Sequence, residues 1–431
     1  MLLTINIEYH FMLGAFNMAT INECIVEFNP WWKGNFSLGY KQRHIYSEMR
    51  KFHSLQQIIA LTGLRRVGKS TLLMKVVEDE IAAGINPGNI LYFSFDEFKE
   101  TEPRDVLKAF EELTGINISK DKTLLLFDEI QKIRDWENKI KTIYDLYKGK
   151  TKIYLSGSES LAINSKSKES LAGRIFYFKI ETLSFKEYLD FGLKKFEPIA
   201  LYQKELSKEF RKFIRSQGFP ELAGIDDQQI IQKYLQEGII DKIIYKDLPS
   251  IYSVKETSVL ESLLKLLMEE PGQMIDMQKV ASQFKTTRQT ISNYFFMLEQ
   301  AFLIRKLYNY STNKRKTERK LKKYYPAILS PALTFKEDPA SQSKVLECKS
   351  ANSLNAVFFW RDKYKNEVDI VLTEPELVPI EVKLAETNSK SIELFMQKFK
   401  PKKGYILTQN QEKAEKNKIE AMPLFRYLLA H

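Results

Sequence analysis

At 431 residues, 44% hydrophobic and 28% charged, the chain is longer than one core requires and has the composition of folded protein rather than of a disordered tail. Two cysteines and four histidines, far apart in sequence, exclude a disulfide framework and Cys/His zinc spacing. No uncharged apolar run reaches the roughly 18 residues of a membrane-spanning helix, and a formal charge of +11 favours a polyanionic partner.

The uncharged run from Tyr9 to Asn22 follows Glu8, where a signal peptide carries a basic flank, and Asn17, Thr20 and Asn22 interrupt it. A cytoplasmic protein is expected, with Met18 as an alternative start and residues 1–17 as an extension. The first strong pattern is IIALTGLRRVGKSTLL: an apolar strand from Ile58 to Leu61, a loop, and a helical stretch from Thr71 to Glu80. Within it, Gly63-Leu64-Arg65-Arg66-Val67-Gly68-Lys69-Ser70 is G-x-x-x-x-G-K-[ST] between strand and helix, the setting a phosphate-binding loop requires. Glycines let backbone N–H groups turn inward around the β- and γ-phosphates, and the helix N-terminus at Thr71 adds its dipole. Lys69 brings a mobile charge to the phosphates, and the Ser70 hydroxyl suits Mg2+.

The run TLLLFDEI, Thr123 to Ile130, reads as a buried strand delivering Asp128 and Glu129 to the carboxyl edge of a parallel sheet, where such folds bind ligands. Asp128 is expected in the Mg2+ shell and Glu129 as the group that polarises the attacking water; an acidic helix cap is the competing reading. Further strands are predicted at Ile90 to Asp96, Lys152 to Ser156 and Arg174 to Ile180. Ser156 or Ser158, in SGSES, falls where a polar sensor meets the phosphates, although strand-end hydroxyls also form turns. Arg174 is a candidate arginine finger, acting in its own or a neighbouring subunit.

Residues 181–250 lose strand periodicity and read as a helical lid or connector without chemistry. Beyond them, VLESLLKLLMEE, MQKVASQF and RQTISNYFFMLEQAFLI predict three helices, the last two joined by the short turn KTT and followed by the strand-like IRKLYNY. That is the order of a winged helix-turn-helix, with Arg288, Gln289 and Asn293 on the exposed N-terminal half of the recognition helix. The stretch 311–323, STNKRKTERKLKK, carries seven basic side chains and one acid. Lys314, Arg315 and Lys316 make it a candidate wing touching DNA phosphates, against the plainer reading of a solvated charge run.

Near the end, NEVDIVLTEPELVPIEVKL at 366–384 reads as a hairpin turning at TEPELVP. Glu381 and Lys383 share a strand face, and Asp369 lies beside Glu381 on the adjacent strand. Paired carboxylates make an oxygen-rich Mg2+ site, with Lys383 to position or deprotonate a metal-activated water. Glu347, in the helical stretch SKVLECKSANSL, is placed to complete the ligand set. An edge hairpin with a surface ion pair is the competing reading.

In this order the motifs resemble prokaryotic AAA-type ATPases, widespread in archaea and bacteria, whose C-terminal half is an uncharacterised domain with a restriction-endonuclease-like ending. NPWW at 29–32 looks like the family's N-terminal strap, TGLRRVGKSTLL and LLLFDEIQ like its nucleotide motifs, and SGSES with LAGRIFYFKIETLSFKEYL like its sensor and fifth-strand region. GFPEL at 218–222, YKDLPSIY at 245–252, and EVDIVL with IEVK at 367–383 extend the likeness to the C-terminal half. KKYYPAILSPAL at 322–333 departs from it, lacking an acid after its aromatic strand. The resemblance implies ATP rather than GTP.

The expected fold is α/β: a P-loop NTPase parallel sheet, a helical connector, a winged-helix-like unit and a C-terminal α/β domain of the restriction-endonuclease, or PD-(D/E)xK, type. The expected boundaries are 1–45 for the extension and strap, 46–183 for the ATPase core and 184–250 for the connector. They continue with 251–323 for the winged helix with its basic wing and 324–431 for the nuclease-like domain. The expected function is a Mg2+-dependent ATPase directed to DNA and open to an ATP-linked nuclease activity, with a homo-oligomer or protein partner to be considered. Two alternatives remain: a nucleotide-dependent switch on a protein partner with a silent nuclease scaffold, and a DNA-binding module with negligible turnover.

Overall fold

The computed structural model describes residues 21–157, 170–313, 315, 317, 320–333, 338–384 and 388–430. The extension 1–17 and the candidate site residues Ser158, Lys314 and Lys316 lie outside them.

Five continuous apolar runs become the parallel strands of one sheet. They are β1 (Ile58–Thr62), β2 (Ile90–Ser94), β3 (Thr123–Asp128), β4 (Thr151–Gly157) and β5 (Ile175–Lys179), in the order β2-β3-β4-β1-β5. Strands covered on both faces need apolar residues at every position rather than at alternate ones. On one face, Ile59 and Leu61 pack against Leu72, Leu73, Val76 and Val77 of helix α3 (Lys69–Ala82). On the other, Ile58, Ala60, Leu91, Phe93 and Phe127 meet α4 (Pro103–Thr114) and α5 (Trp136–Leu146) through Phe110, Ile140 and Ile143. Ahead of the sheet come α1 (Ile21–Phe28) and α2 (His44–Arg50). Between them Asn29 acts as a strap on the edge strand: its amide nitrogen donates to the Tyr92 carbonyl at 2.8 Å and its Oδ1 accepts from the Tyr92 N–H at 2.7 Å.

The expected connector divides into two parts with different loyalties. Helices α6 (Phe185–Phe191), opened by a Ser184/Glu187 capping box, and α7 (Gln203–Ser216) bury Phe185, Phe210 and Phe213 among C-terminal residues such as Tyr325, Phe359 and Phe425. The later helix, α8, starts at Gln228–Leu235 and runs through π-helical segments Gln236–Ile240 and Ile243–Asp247 to Leu248–Ile251. It packs on the α3 face of the ATPase sheet.

Next come α9 (Thr257–Glu269), β6 (Gln273–Ile275), α10 (Met277–Gln283), α11 (Arg288–Gln300), β7 (Ile304–Asn309) and β8 (Lys322–Pro326). Asp276 and Thr287 cap α10 and α11, which fixes the short turn between them. β6, β8 and β7 lie side by side in that order with antiparallel pairing. The boundary expected at 323 cuts β8, because Lys322–Pro326 is one strand; the unit ends beyond it. The C-terminal part contains α12 (Pro339–Ser353), β9 (Phe358–Arg361), β10 (Glu367–Leu372), β11 (Val378–Lys383) and α13 (Lys390–Phe399). It ends with β12 (Gly404–Thr408), β13 (Lys413–Lys416), β14 (Ile419–Pro423) and α14 (Leu424–Ala430). Parallel pairing of β7 with β9, Tyr308 opposite Phe358, joins β6, β7 and β8 to this part in one mixed nine-stranded sheet, β13-β14-β12-β11-β10-β9-β7-β8-β6.

Candidate functional site

The first site is the loop from Gly63 to Ser70 at the carboxyl edge of β1. Gly63 has φ +146°, and a Cβ there would stand 2.3 Å from the Ile180 carbonyl oxygen; Gly68 has φ +96°. Both backbone conformations are ones that side-chain-bearing residues rarely adopt. Lys69 is buried, and its ammonium donates to the carbonyls of Gly63 at 3.1 Å and Leu64 at 2.9 Å, so it spans the loop interior. Ser70 and Thr71, at the head of α3, face outward to solvent. The Val67 carbonyl accepts from Arg43, which ties the loop to α2.

Asp128, 3% exposed, gathers donors from four directions. The Ser70 hydroxyl reaches Oδ2 at 2.5 Å, Tyr92 OH reaches Oδ2 at 2.8 Å, the Glu129 N–H reaches Oδ1 at 3.0 Å, and the Ser156 hydroxyl also donates to Oδ1. Ser156 therefore orients Asp128. Glu129 sits in the left-handed region at φ 53° just past the strand and accepts from Gln131. Burial raises its pKa and lowers that of Lys69, whose charge opposes the Glu129 shift. Lys69, Ser70, Asp128 and Glu129 thus meet at one sheet edge, as their strand and loop positions predicted.

The two loop arginines direct their side chains away from the loop. The Arg65 guanidinium turns away from the loop to a bidentate pair with Asp247 on α8, with Nη2 to Oδ1 at 2.9 Å. Lys132 adds a second cation 3.5 Å from the same carboxylate. Arg66 pairs with Glu221 at 3.0 Å and lies over the Tyr234 ring. Arg174 is corrected as a finger within its own chain. It precedes β5 at the amino edge, its carbonyl accepts from Ile58, and its side chain pairs with Asp145 at 3.0 Å. In that register the loop lies a strand length away, about 17–20 Å, so a role for Arg174 requires a second copy of the chain.

On α11, Arg288, Gln289 and Asn293 are exposed on one face, with Gln289 donating to Asn293 at 2.9 Å. Arg315 is exposed as well. These residues are polar and exposed on and after α11.

A second constellation lines a cavity of about 450 Å3 with Ser343, Glu347, Glu367, Asp369, Glu381 and Lys383. The antiparallel register Ile370 opposite Ile380 sets Asp369 across from Glu381, and Asp369 Oδ2 accepts from the Val382 N–H at 2.9 Å. Glu347 enters from α12 and accepts from Tyr325 OH at 2.6 Å. Lys383 lies 3.3 Å from Glu381. Burial, then Glu347, pushes the Asp369 pKa well up, opposed by Lys323; burial raises that of Glu381. The expected joint metal set of Glu347, Asp369 and Glu381 is not formed. Among the described residues no three His, Cys, Asp or Glu side chains are gathered to hold a metal ion. Lys323 of β8, 4% exposed, stands among these acids, its ammonium 2.5 Å from Glu367, 3.3 Å from Glu347 and 3.8 Å from Asp369. Lys323, Glu367 and Asp247 are the residues sequence reasoning missed. Strand parity was the one available signal for Lys323, since it falls on the inward side of an aromatic strand.

Residues 55–189 match the family described as AAA domain, residues 207–327 a domain of unknown function, DUF8612, and residues 344–427 another, DUF4143. Over residues 55–189 the chain therefore matches an AAA-type P-loop ATPase domain. An uncharacterized protein of Methanocaldococcus jannaschii is 28% identical over 82% of this chain and 80% of its own length. An uncharacterized protein of Haemophilus influenzae is 29% identical over 61% of this chain and 65% of its own. Among solved structures, the RuvB Holliday junction branch migration motor of Thermotoga maritima overlaps 60% of this chain and 88% of its own at 16% identity, with a TM-score of 0.30. No helix among the described residues is long and apolar enough to cross a membrane.

Proposed function

We propose that the chain is a Mg2+-dependent ATPase whose C-terminal half is directed to DNA. The observation that carries the proposal is the meeting of Lys69, Ser70, Asp128 and Glu129 beside a loop whose two glycines hold positive φ. These residues fit a magnesium nucleotide: the loop offers backbone donors, and the exposed Ser70 hydroxyl is already aligned on a carboxylate. When bound, Mg2+ neutralises charge on the β- and γ-phosphate oxygens. Lys69 binds those oxygens, Asp128 holds the Ser70 hydroxyl in register, and the Glu129 carboxylate takes the proton of the attacking water. Gln131, donating to Glu129, keeps that carboxylate on the open side of the loop. Glu129→Gln should keep ATP binding and lose turnover by ~100-fold or more, as for loss of a positioned base. Unchanged turnover would remove Glu129 from this role.

The DNA reading rests on the winged-helix order and on exposed Arg288, Gln289 and Asn293, with Arg315 beyond β7 and the run containing Lys314 and Lys316 around it. Loop residues Gly63–Arg65, Asp247 and Tyr252 of the lid, and Gln300–Phe302 at the end of α11 line one small cavity, which puts the phosphate loop beside the proposed winged helix. Steep salt dependence of duplex binding tests this reading, and its absence favours the protein-partner switch.

A second reading, favoured by the cavity lined by Asp369, Glu381 and Lys383, is that β10, β11 and α12 form a PD-(D/E)xK-type divalent-cation pocket. Plasmid cleavage with Mg2+ or Mn2+ that disappears in both Asp369→Ala and Lys383→Ala would assign it. No cleavage by wild type, with ATP still hydrolysed, would leave this part a scaffold.

A further inference from the structure

We propose that Lys323 is the resident cation of the acidic pocket and keeps divalent metal out of it. The inference rests on the reading of that pocket as a cation site.

Four carboxylates face the cavity, and their partners are unevenly shared. Glu347, Glu367 and Asp369 all lie within 4 Å of the Lys323 ammonium, and Arg361 adds a contact to Glu367 at 3.4 Å. Among the described residues, Glu381, 3% exposed, has no hydrogen bond in good geometry to either oxygen. The Lys383 ammonium at 3.3 Å and the nearby Ser391 hydroxyl moderate its charge. A buried carboxylate left this way is costly unless something else meets it. The pocket therefore has spare acceptor capacity at Glu381 and a point charge where the other three acids converge.

Lys323 is not a surface side chain that has strayed inward. It belongs to β8, opposite Leu307 of β7 and Met274 of β6, and its ammonium lies 5.5 Å from the Phe359 ring centre and 5.9 Å from that of Tyr325. Its ammonium stands within 4 Å of three carboxylates. A hard cation and an ammonium seek the same oxygens. A divalent ion held by Asp369 would lie close to the Lys323 ammonium and be repelled by it, so the two compete for Glu347, Glu367 and Asp369. The winged-helix unit, which supplies β8, thus sets the metal affinity of a pocket built from the last part of the chain.

The test is Mn2+ titration of the nucleotide-free full chain, read as loss of the free-ion electron paramagnetic resonance signal. Wild type, Lys323→Met, Lys323→Gln and Lys323→Met/Asp369→Asn are compared. The expected result is one site in Lys323→Met, tighter than anything at Asp369 in wild type by about tenfold or more, and lost in the double variant. An Asp369-dependent site equally tight in wild type and Lys323→Met would overturn the plug and leave the pocket standing. No Asp369-dependent site in any variant would overturn the pocket itself. If both Lys323 variants melt early, recovery of their midpoints by millimolar Mn2+, absent in the double variant, supports the proposal. No such recovery overturns it.

Discussion

Asp247→Asn is expected to loosen the lid from the phosphate loop. Asp247 is 7% exposed and is the shared anion for Arg65, held at both carboxylate oxygens, and for Lys132 at 3.5 Å. The amide keeps the shape and removes the charge. Breaking a buried pair by neutralising one partner costs ~3–5 kcal/mol. Here Arg65 is 22% exposed and Lys132 keeps Asp96 at 3.7 Å, so a loss of ~2–3 kcal/mol is expected. Thermal or urea denaturation of the nucleotide-free chain measures it. Saturating ATP should shrink the deficit, because phosphate oxygens offer the freed cations another anion. A variant as stable as wild type without nucleotide would refute the reasoning, since it would mean the bridge does not hold the lid.

Alanine at Gly63 places a Cβ against the Ile180 carbonyl oxygen, so ATP affinity should fall by about tenfold or more in a fluorescent-nucleotide titration, with the fold retained. Lys349 is buried against the Phe213 ring at 3.9 Å and donates to the Gln217 carbonyl at 3.3 Å; burial pushes its pKa from 10.5 down to about 7. Below pH 7 it is charged in both states and the burial penalty is present in full. Between about 7 and 10.5 only the unfolded chain keeps the proton, so stability climbs with pH. Lys349→Met should therefore gain ~2–4 kcal/mol near pH 6 in urea melts, an advantage that fades toward pH 10. Arg288→Ala should weaken duplex binding about tenfold, and should lower the salt slope by about one if the contact is to phosphate.

What could be read in advance was local or periodic. The phosphate loop and TLLLFDEI carry their chemistry within a few residues, and period-two alternation was enough to set Asp369 opposite Glu381. Contacts between distant segments were not legible. Arg65 meets a carboxylate 182 positions away, and nothing in GLRRVGKS distinguishes a loop arginine facing phosphate from one facing a lid. Lys323 was hidden in the basic run 311–323, where composition suggests a solvated wing. Its inward turn depends on β8 being flanked by β6 and β7 and backed by α12. Arg174 shows a different limit: a strand was recognised, but the end at which its arginine stands decides whether it can reach the phosphates.

The Asn29 strap bears on where this protein can be cut. With Trp31 and Trp32 both donating to the Ile90 carbonyl and Asn29 occupying both polar groups of Tyr92, the outer rim of β2 is already spoken for by its own chain. A fragment beginning at residue 55, where the AAA match starts, would bare that rim as a template for strand addition by another molecule. The excisable unit therefore begins no later than α1, and an affinity tag belongs ahead of Ile21 rather than at the family boundary.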